Sequence, residues 1–286
     1  FNKLKNTISN FKPDYIFHLA AQPIVSDSVK NPLKTWSSNT IGTINILEIL
    51  KNYNNRVYVV IITSDKVYYN FEKKGAYKET DILGGKDPYS ASKASAEIAI
   101  KSYFETYLKA KKNINLAVAR AGNVIGGGDW SEGRLIPDCV RAWSKKNTVK
   151  IRSPLSTRPW QHVMEVVYGY ILLALKLRRN KSINGEAFNF GPSSNKDYRV
   201  IDCLKKIKTF WPSIKWKKSN SKVFKEAGLL KLNSKKKLKI LKWKTILNFN
   251  ETIKLTAQWY KSFYSKKSEI ITTSQIQNYL KKIEKN

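Results

Sequence analysis

Tyr89 and Lys93 close the run Tyr89-Ser90-Ala91-Ser92-Lys93. Four residues apart, their side chains share one face of a helix. An ammonium beside a phenol favours the phenolate and draws the tyrosine pKa toward neutrality. A tyrosine so tuned can take the proton of a hydroxyl while hydride leaves the same carbon. Alone, Tyr-x-x-x-Lys is a weak signal, because surface pairs with this spacing arise by chance. Its surroundings sharpen it. The pair follows the loop after a β-branched apolar run, and that loop opens with Thr63-Ser64-Asp65-Lys66. In open α/β sheets the ligand crevice lies at such carboxyl ends of strands.

The elements that must position these groups are readable. Asp14 to Ala20 reads as a buried strand. Asn31-Pro32 opens a helix to about Asn52, with Trp36, Ile41, Ile44, Leu47 and Leu50 on one face. Arg56 to Ile62 is a second buried strand, Thr63 to Pro88 a loop, Tyr89 to about Lys109 a helix, and Asn115 to Arg120 a third strand. Apolar strands alternating with helices predict a parallel sheet covered on both faces. After Gly122 come a glycine-rich loop (Gly126 to Gly133), a helix over Leu135 to Lys145, another after His162, and a strand over Glu186 to Phe190. Short helices, a strand near Ile214 and amphipathic helices over Glu251 to Tyr264 and Ser274 to Ile283 complete the chain. The expected fold is α/β: a Rossmann-like doubly wound parallel sheet with a smaller C-terminal α/β substrate-binding lobe. Residues 1–125 with about 155–190 form the first unit; 126–154 and 191–286 form the second.

The 286 residues are 42% hydrophobic and 12% aromatic, which excludes a disordered chain. The most apolar helix, Val163 to Leu177, is interrupted by Glu165 and Gly169 and falls short of the roughly 18 apolar residues of a membrane span. Cys139 and Cys203 make neither a disulfide framework nor a zinc site; no metal is expected, and a cytoplasmic setting is. The net charge of +32 invites a nucleic-acid reading. However, 44 of the 53 basic residues are lysine, whereas phosphate and base readout favours arginine. A solvated lysine-rich surface is expected, with no nucleic-acid or membrane partner.

Other runs carry a resemblance. His18-Leu19-Ala20-Ala21-Gln22-Pro23, Asn39-Thr40-Ile41-Gly42-Thr43, Leu83-Gly84-Gly85-Lys86-Asp87-Pro88-Tyr89-Ser90, Arg120-Ala121-Gly122-Asn123 through Gly126-Gly127-Gly128-Asp129-Trp130, Arg134-Leu135-Ile136-Pro137-Asp138 and Arg158-Pro159-Trp160-Gln161-His162 span almost the whole chain. With the Tyr/Lys pair they resemble the extended short-chain dehydrogenase/reductase family, the NAD-dependent nucleotide-sugar epimerases and dehydratases. The glycine-rich Asp-Trp run and the Arg-Pro-Trp-Gln-His run are similar to the branch that dehydrates CDP-glucose.

The resemblance implies dehydration by transient oxidation at C4, loss of water across C5 and C6, and return of hydride to C6, with NAD regenerated in each turnover. It implies that Tyr89 with Lys93 forms the catalytic couple. Ser64 bonds near the 4-oxygen, Asp65 serves as acid and Lys66 as base; a strand-end ion pair is the plainer reading of the last two. The NAD contacts would be Leu19, Ala20, Ala21, Gln22, Asn39, Tyr89 and Lys93. Substrate contacts would be Gln22, Ser64, Asn123, Leu135, Ile136 and Arg158, with Arg158 gripping the pyrophosphate or else forming a packed corner. His18 and His162 read as structural, and Trp130 and Trp160 as pocket walls or core. A homodimer through the two long helices is implied, with Ile98, Ile100 and Tyr103 facing outward.

One departure is large. No glycine-rich phosphate turn precedes Phe1, and the first strand corresponds to the family's fourth. The resemblance therefore implies that roughly 60–80 upstream residues are missing, and that the chain as it stands binds NAD poorly. Competing expectations are a 4-epimerase or another nucleotide-sugar 4,6-dehydratase of the same family and, from a different class, a basic nucleic-acid-binding protein.

Overall fold

Val57–Ile62 is a run of five β-branched residues and one tyrosine, the composition of a strand buried on both faces. Burying each such side chain stabilises by about 1.5–3 kcal/mol, enough to offset the ~1–2 kcal/mol per residue lost in ordering the backbone. The computed structural model describes residues 1–286 except 73, 194, 195, 197, 220–228, 266–268 and 286. In its first part α1 (Asn2–Phe11) precedes β1 (Tyr15–His18), then α2 (Val25–Lys30), α3 (Pro32–Trp36), α4 (Gly42–Lys51), β2 (Val57–Ile62), α5 (Pro88–Tyr103) and β3 (Ile114–Ala121). There follow β4 (Val124–Ile125), α6 (Leu135–Ser144), β5 (Val149–Ile151), β6 (Thr157–Arg158), β7 (Gln161–His162), α7 (Val163–Arg179) and β8 (Ala187–Phe190). The last part holds β9 (Tyr198–Arg199), α8 (Val200–Lys208), β10 (Trp216–Lys218), α9 (Lys235–Leu241), α10 (Phe249–Phe263) and α11 (Thr272–Glu284).

The described residues build a four-stranded parallel sheet in the order β1-β2-β3-β8. Side-chain alternation divides it into two cores. Val57, Val59, Ile61, Leu116 and Val118 pack on Ile46, Leu47 and Leu50 of α4 and Ile100 of α5. On the other face Tyr58, Val60, Ala117 and Ala119 meet Val166, Tyr170 and Leu173 of α7. A third core joins α6, α8, α10 and β5 around Trp143, Cys203 and Tyr260. This is the expected Rossmann-like α/β class.

Four local expectations change. β1 ends at His18 and lies at the sheet edge with Phe17 exposed, so it is not the fully buried strand expected of Asp14 to Ala20. A π-helical turn over Ser37–Ile41 joins α3 to α4 and adds a residue to the turn. The phase shifts, turning Trp36 and Ile41 outward while Thr43, Ile46, Leu47, Ile49 and Leu50 face the core. Ile100 is buried rather than outward-facing, and Tyr103 donates to Glu48 Oε2 at 3.0 Å, leaving Ile98 as the exposed apolar residue of those three. The strand near Ile214 begins at Trp216 and pairs parallel with β5. Helix α1 was not anticipated: Ile8 is its one buried residue, too little for an apolar periodicity.

Candidate active site

The carboxyl end of β2 delivers Thr63 and Ser64. Ser64 caps the 3₁₀ turn Asp65–Val67: its Oγ accepts from the Lys66 N–H at 3.2 Å and donates to Asp65 Oδ1 at 3.0 Å. Opposite, α5 starts at a capping box in which Asp87 Oδ1 accepts from the Ser90 N–H at 3.0 Å, with Pro88 at the first helical position. Tyr89 is thereby fixed in the first turn, and its N–H donates to Ser28 Oγ at 3.2 Å. Ser64, Asp65, Lys66 and Tyr89 share a cavity of about 710 Å³ with Asn123, Leu135, Ile136 and Arg158.

Asp65 is fully enclosed. Burial raises its pKa, opposed by the Lys66 charge, the Ser64 hydrogen bond and the Arg158 charge. Its Oδ2 is buried without a protein hydrogen-bond partner, which works against the charged form. The Tyr89 phenol is pushed up to about 12 by burial. Ser64 works in the opposite direction, and the Asp65 charge adds to the rise. This departs from the sequence expectation of a phenol drawn toward neutrality by Lys93. The Lys93 ammonium instead donates to the Ile62 carbonyl at 3.2 Å. Burial lowers its pKa to about 8, and Glu97 opposes that shift.

The remaining expected residues gather beside the cavity. Leu19 and Ala20 are exposed just past β1. Asn39 ties that segment to α5: its Oδ1 accepts from the Gln22 N–H at 2.8 Å, and its Nδ2 donates to the Gln22 carbonyl at 3.1 Å and Ser92 Oγ at 2.9 Å. The Gln22 amide is buried and donates to Thr35 Oγ1 at 2.8 Å and the Ile24 carbonyl at 3.1 Å. Leu19, Ala20, Ala21, Gln22, Asn39 and Lys93 do not line the main cavity. Burial lowers both histidines to about 4. His162 caps α7, its Nδ1 accepting from the Met164 N–H at 3.3 Å. Trp160 lines the cavity, whereas Trp130 packs against Phe263 of α10 with ring centroids 4.8 Å apart.

Three features escaped the sequence reading. Arg134 lines the cavity, paired with Asp129 at 3.0 Å, and its charge acts on Tyr89. Gly122 lies against Asp65. Glu97 and Arg120 form a buried ion pair behind Thr63. Arg134 had a signal in its place beside Leu135-Ile136; the other two depend on pairings between distant segments.

The chain is similar to known proteins. A family described as GDP-mannose 4,6 dehydratase matches residues 1–256. The chain is 38% identical to a CDP-glucose 4,6-dehydratase of Salmonella typhimurium, over 98% of this chain and 80% of that one. It is 27% identical to a UDP-glucose 4-epimerase of Mycoplasma genitalium, over 92% and 80%. Among solved structures, a dTDP-glucose 4,6-dehydratase of Bacillus anthracis superposes with a TM-score of 0.75 at 23% identity, covering 94% of this chain and 79% of that one.

Proposed function

Because the chain belongs to the GDP-mannose 4,6-dehydratase family within the extended short-chain dehydrogenases/reductases, we propose that it is an NAD-dependent hydro-lyase converting CDP-glucose to CDP-4-keto-6-deoxyglucose. The observation that carries this is the meeting of Ser64, Asp65, Lys66 and Tyr89 in one cavity. An epimerase needs the tyrosine couple alone, whereas elimination of water also needs an acid and a base.

The residues beside the cavity fit NAD. Lys93 spends one of its three donors on Ile62 and would hold ribose hydroxyls with the others. Leu19 and Ala20 offer open apolar surface at the end of β1, with Ala21 and Gln22 held by Asn39 behind them. Bound there, NAD would supply a hydride acceptor for C4, the hydride for C6, and a positive ring that favours nearby phenolate.

Tyr89 takes the proton of the 4-hydroxyl, and the Ser64 hydroxyl bonds the same oxygen. Lys66, acting as the free amine, removes the C5 proton, acidified by the neighbouring ketone, and returns it to C5 when hydride reaches C6. Asp65, whose pKa burial raises, protonates the departing C6 hydroxyl. The sum is loss of one water with no net oxidation. Arg158 and Asn123 hold the pyrophosphate, and Leu135 and Ile136 contact the nucleoside.

The enzyme acts as a cytoplasmic homodimer on a nucleotide sugar, with no nucleic-acid or membrane partner. Exposed Ile98 of α5, 59% accessible, together with Trp36 at the end of α3 and Ile41 in the turn before α4 supports pairing through these two helical segments. Both cysteines are buried and free, which suits a reducing compartment. Incubation of the natural protein with NAD and each of CDP-, UDP-, GDP- and dTDP-glucose tests the reading. A 4-keto-6-deoxy product absorbs strongly in alkali and should form fastest from CDP-glucose. A 4-epimer without that absorbance would overturn it. Sedimentation at micromolar concentration tests the dimer.

A further inference from the structure

Glu97 of α5 and Arg120 of β3 are each about 4% exposed. Arg120 Nε stands 2.9 Å from both Glu97 oxygens, and Nη2 bonds Oε2 as well. Arg120 Nη1 donates to the Tyr68 hydroxyl at 2.8 Å and the Glu79 carbonyl at 2.9 Å. Tyr68 in turn donates to Asn189 Oδ1 of β8 at 2.6 Å. From the other side Thr63 Oγ1 donates to Glu97 Oε1 at 2.6 Å. Thr63 immediately precedes Ser64, and Glu97 lies one helical turn beyond Lys93 and two beyond Tyr89.

A buried ion pair adds little stability over an apolar pair of the same volume, so stability alone does not account for it. Its place does. The network joins the ends of β2, β3 and β8 to the helix that carries Tyr89 and Lys93. Among the described residues, His18 and Glu97 bear electrostatically on Lys93. His18 faces it from β1 with a buried ring of pKa about 4, neutral at physiological pH. Glu97 faces it from its own helix and, among the described residues, is the group that acts to keep it charged against burial.

We infer that Glu97, gripped by Arg120 and Thr63, is a positioning residue for the dehydration: it locks α5 against the strand ends and keeps Lys93 an ammonium ion. The inference rests on the assignment of Tyr89 and Lys93 as the catalytic couple. Its direct readout needs no substrate, so it fails separately from that assignment, which ketosugar formation by the wild type tests.

The Lys93 side-chain carbon signal is followed by NMR in the natural protein and assigned by its loss in Lys93→Arg. It should titrate well below the surface lysines, whose midpoints lie near ~10.4. Glu97→Gln should lower the Lys93 midpoint by about one unit, and the alkaline limb of kcat should fall with it while KM changes less than about twofold. Glu97→Asp should restore the midpoint. Glu97→Gln strands the Arg120 guanidinium, so Glu97→Gln/Arg120→Met is measured alongside; with both charges gone the fold is spared and the lowered midpoint should persist. A wild-type Lys93 midpoint in any folded variant lacking the Glu97 carboxylate would overturn the inference. So would equal midpoints in the Gln and Asp variants.

Discussion

Gly122 leaves the space that Asp65 fills: a Cβ at position 122 would stand 2.1 Å from Asp65 Oδ2 and 2.4 Å from its Cγ. The end of β3 and the turn after β2 thus fit together only without a side chain at 122, and the carboxyl is seated against backbone. Gly122→Ala must push Asp65 out of that seat. A misplacement of ~1 Å at a reacting group costs on the order of 100-fold in rate. Ketosugar formation by Gly122→Ala should fall by about that factor, while far-ultraviolet circular dichroism stays native. Turnover within a few-fold of wild type would mean that the Asp65 position is not critical.

Tyr89→Phe removes one oxygen from the cavity and keeps the ring. Since the phenol acts in the chemical step, kcat should drop by about 10²–10⁴ with KM for the nucleotide sugar little changed. The raised phenol pKa of about 12 adds a pH signature. The base form grows as pH rises, so wild-type kcat should climb through neutral pH until Lys93, near 8, loses its proton. A Phe variant with most of its turnover intact would remove Tyr89 from the mechanism.

Why the sequence disclosed some of this and not the rest follows from range. The strands around Val59 and Leu116 are continuous apolar runs, and the start of α5 carries its own cap, Asp87 with Ser90. Such signals are local. The phase of α4 was lost because a π-turn inserts a residue that no periodicity announces. The direction of the Tyr89 shift was lost because burial, and Asp65 brought in from another segment, raise it, and neither is visible in the spacing of Tyr89 and Lys93. Glu97, Arg120 and Thr63 meet only after α5 packs on β2 and β3, so no spacing within one segment marks them.

Asp65 and Lys66 have separable roles, and exchange at C5 distinguishes them. In deuterated water, a variant without the C5 base should neither exchange that hydrogen nor form product. A variant without the acid should still exchange it and fail to expel the hydroxyl. Lys66→Met is therefore expected to lose both signals, and Asp65→Asn to keep C5 exchange while ketosugar formation falls by about 10²–10⁴. Loss of exchange in Asp65→Asn with retention in Lys66→Met would reverse the two assignments. Full product formation by both variants would leave the pair as a structural element.

Asp65 should also cost the fold stability. Its folded pKa is raised above the ordinary 3.8 by burial, so between those two values the native state binds the proton more tightly than the unfolded chain. Stability then falls as pH rises through that window, and the cost is fully present above the folded value. One carboxylate oxygen is buried without a protein partner, and an unsatisfied buried acceptor costs about 1–3 kcal/mol. Asp65→Asn removes the buried charge and keeps the shape. Its Tm at pH 8 should exceed that of wild type by about 2–12 °C, taking ~2–4 °C per kcal/mol. As pH falls and the wild-type carboxyl takes up its proton, the gap should narrow, and it should close below the ordinary value of 3.8. Thermal melts of the two proteins across this range check the sign and the window together. A wild type that melts higher than Asp65→Asn at pH 8 would show that Lys66, Arg158 and Ser64 over-compensate the burial. The acid would then be ionised at working pH and unable to protonate a leaving group.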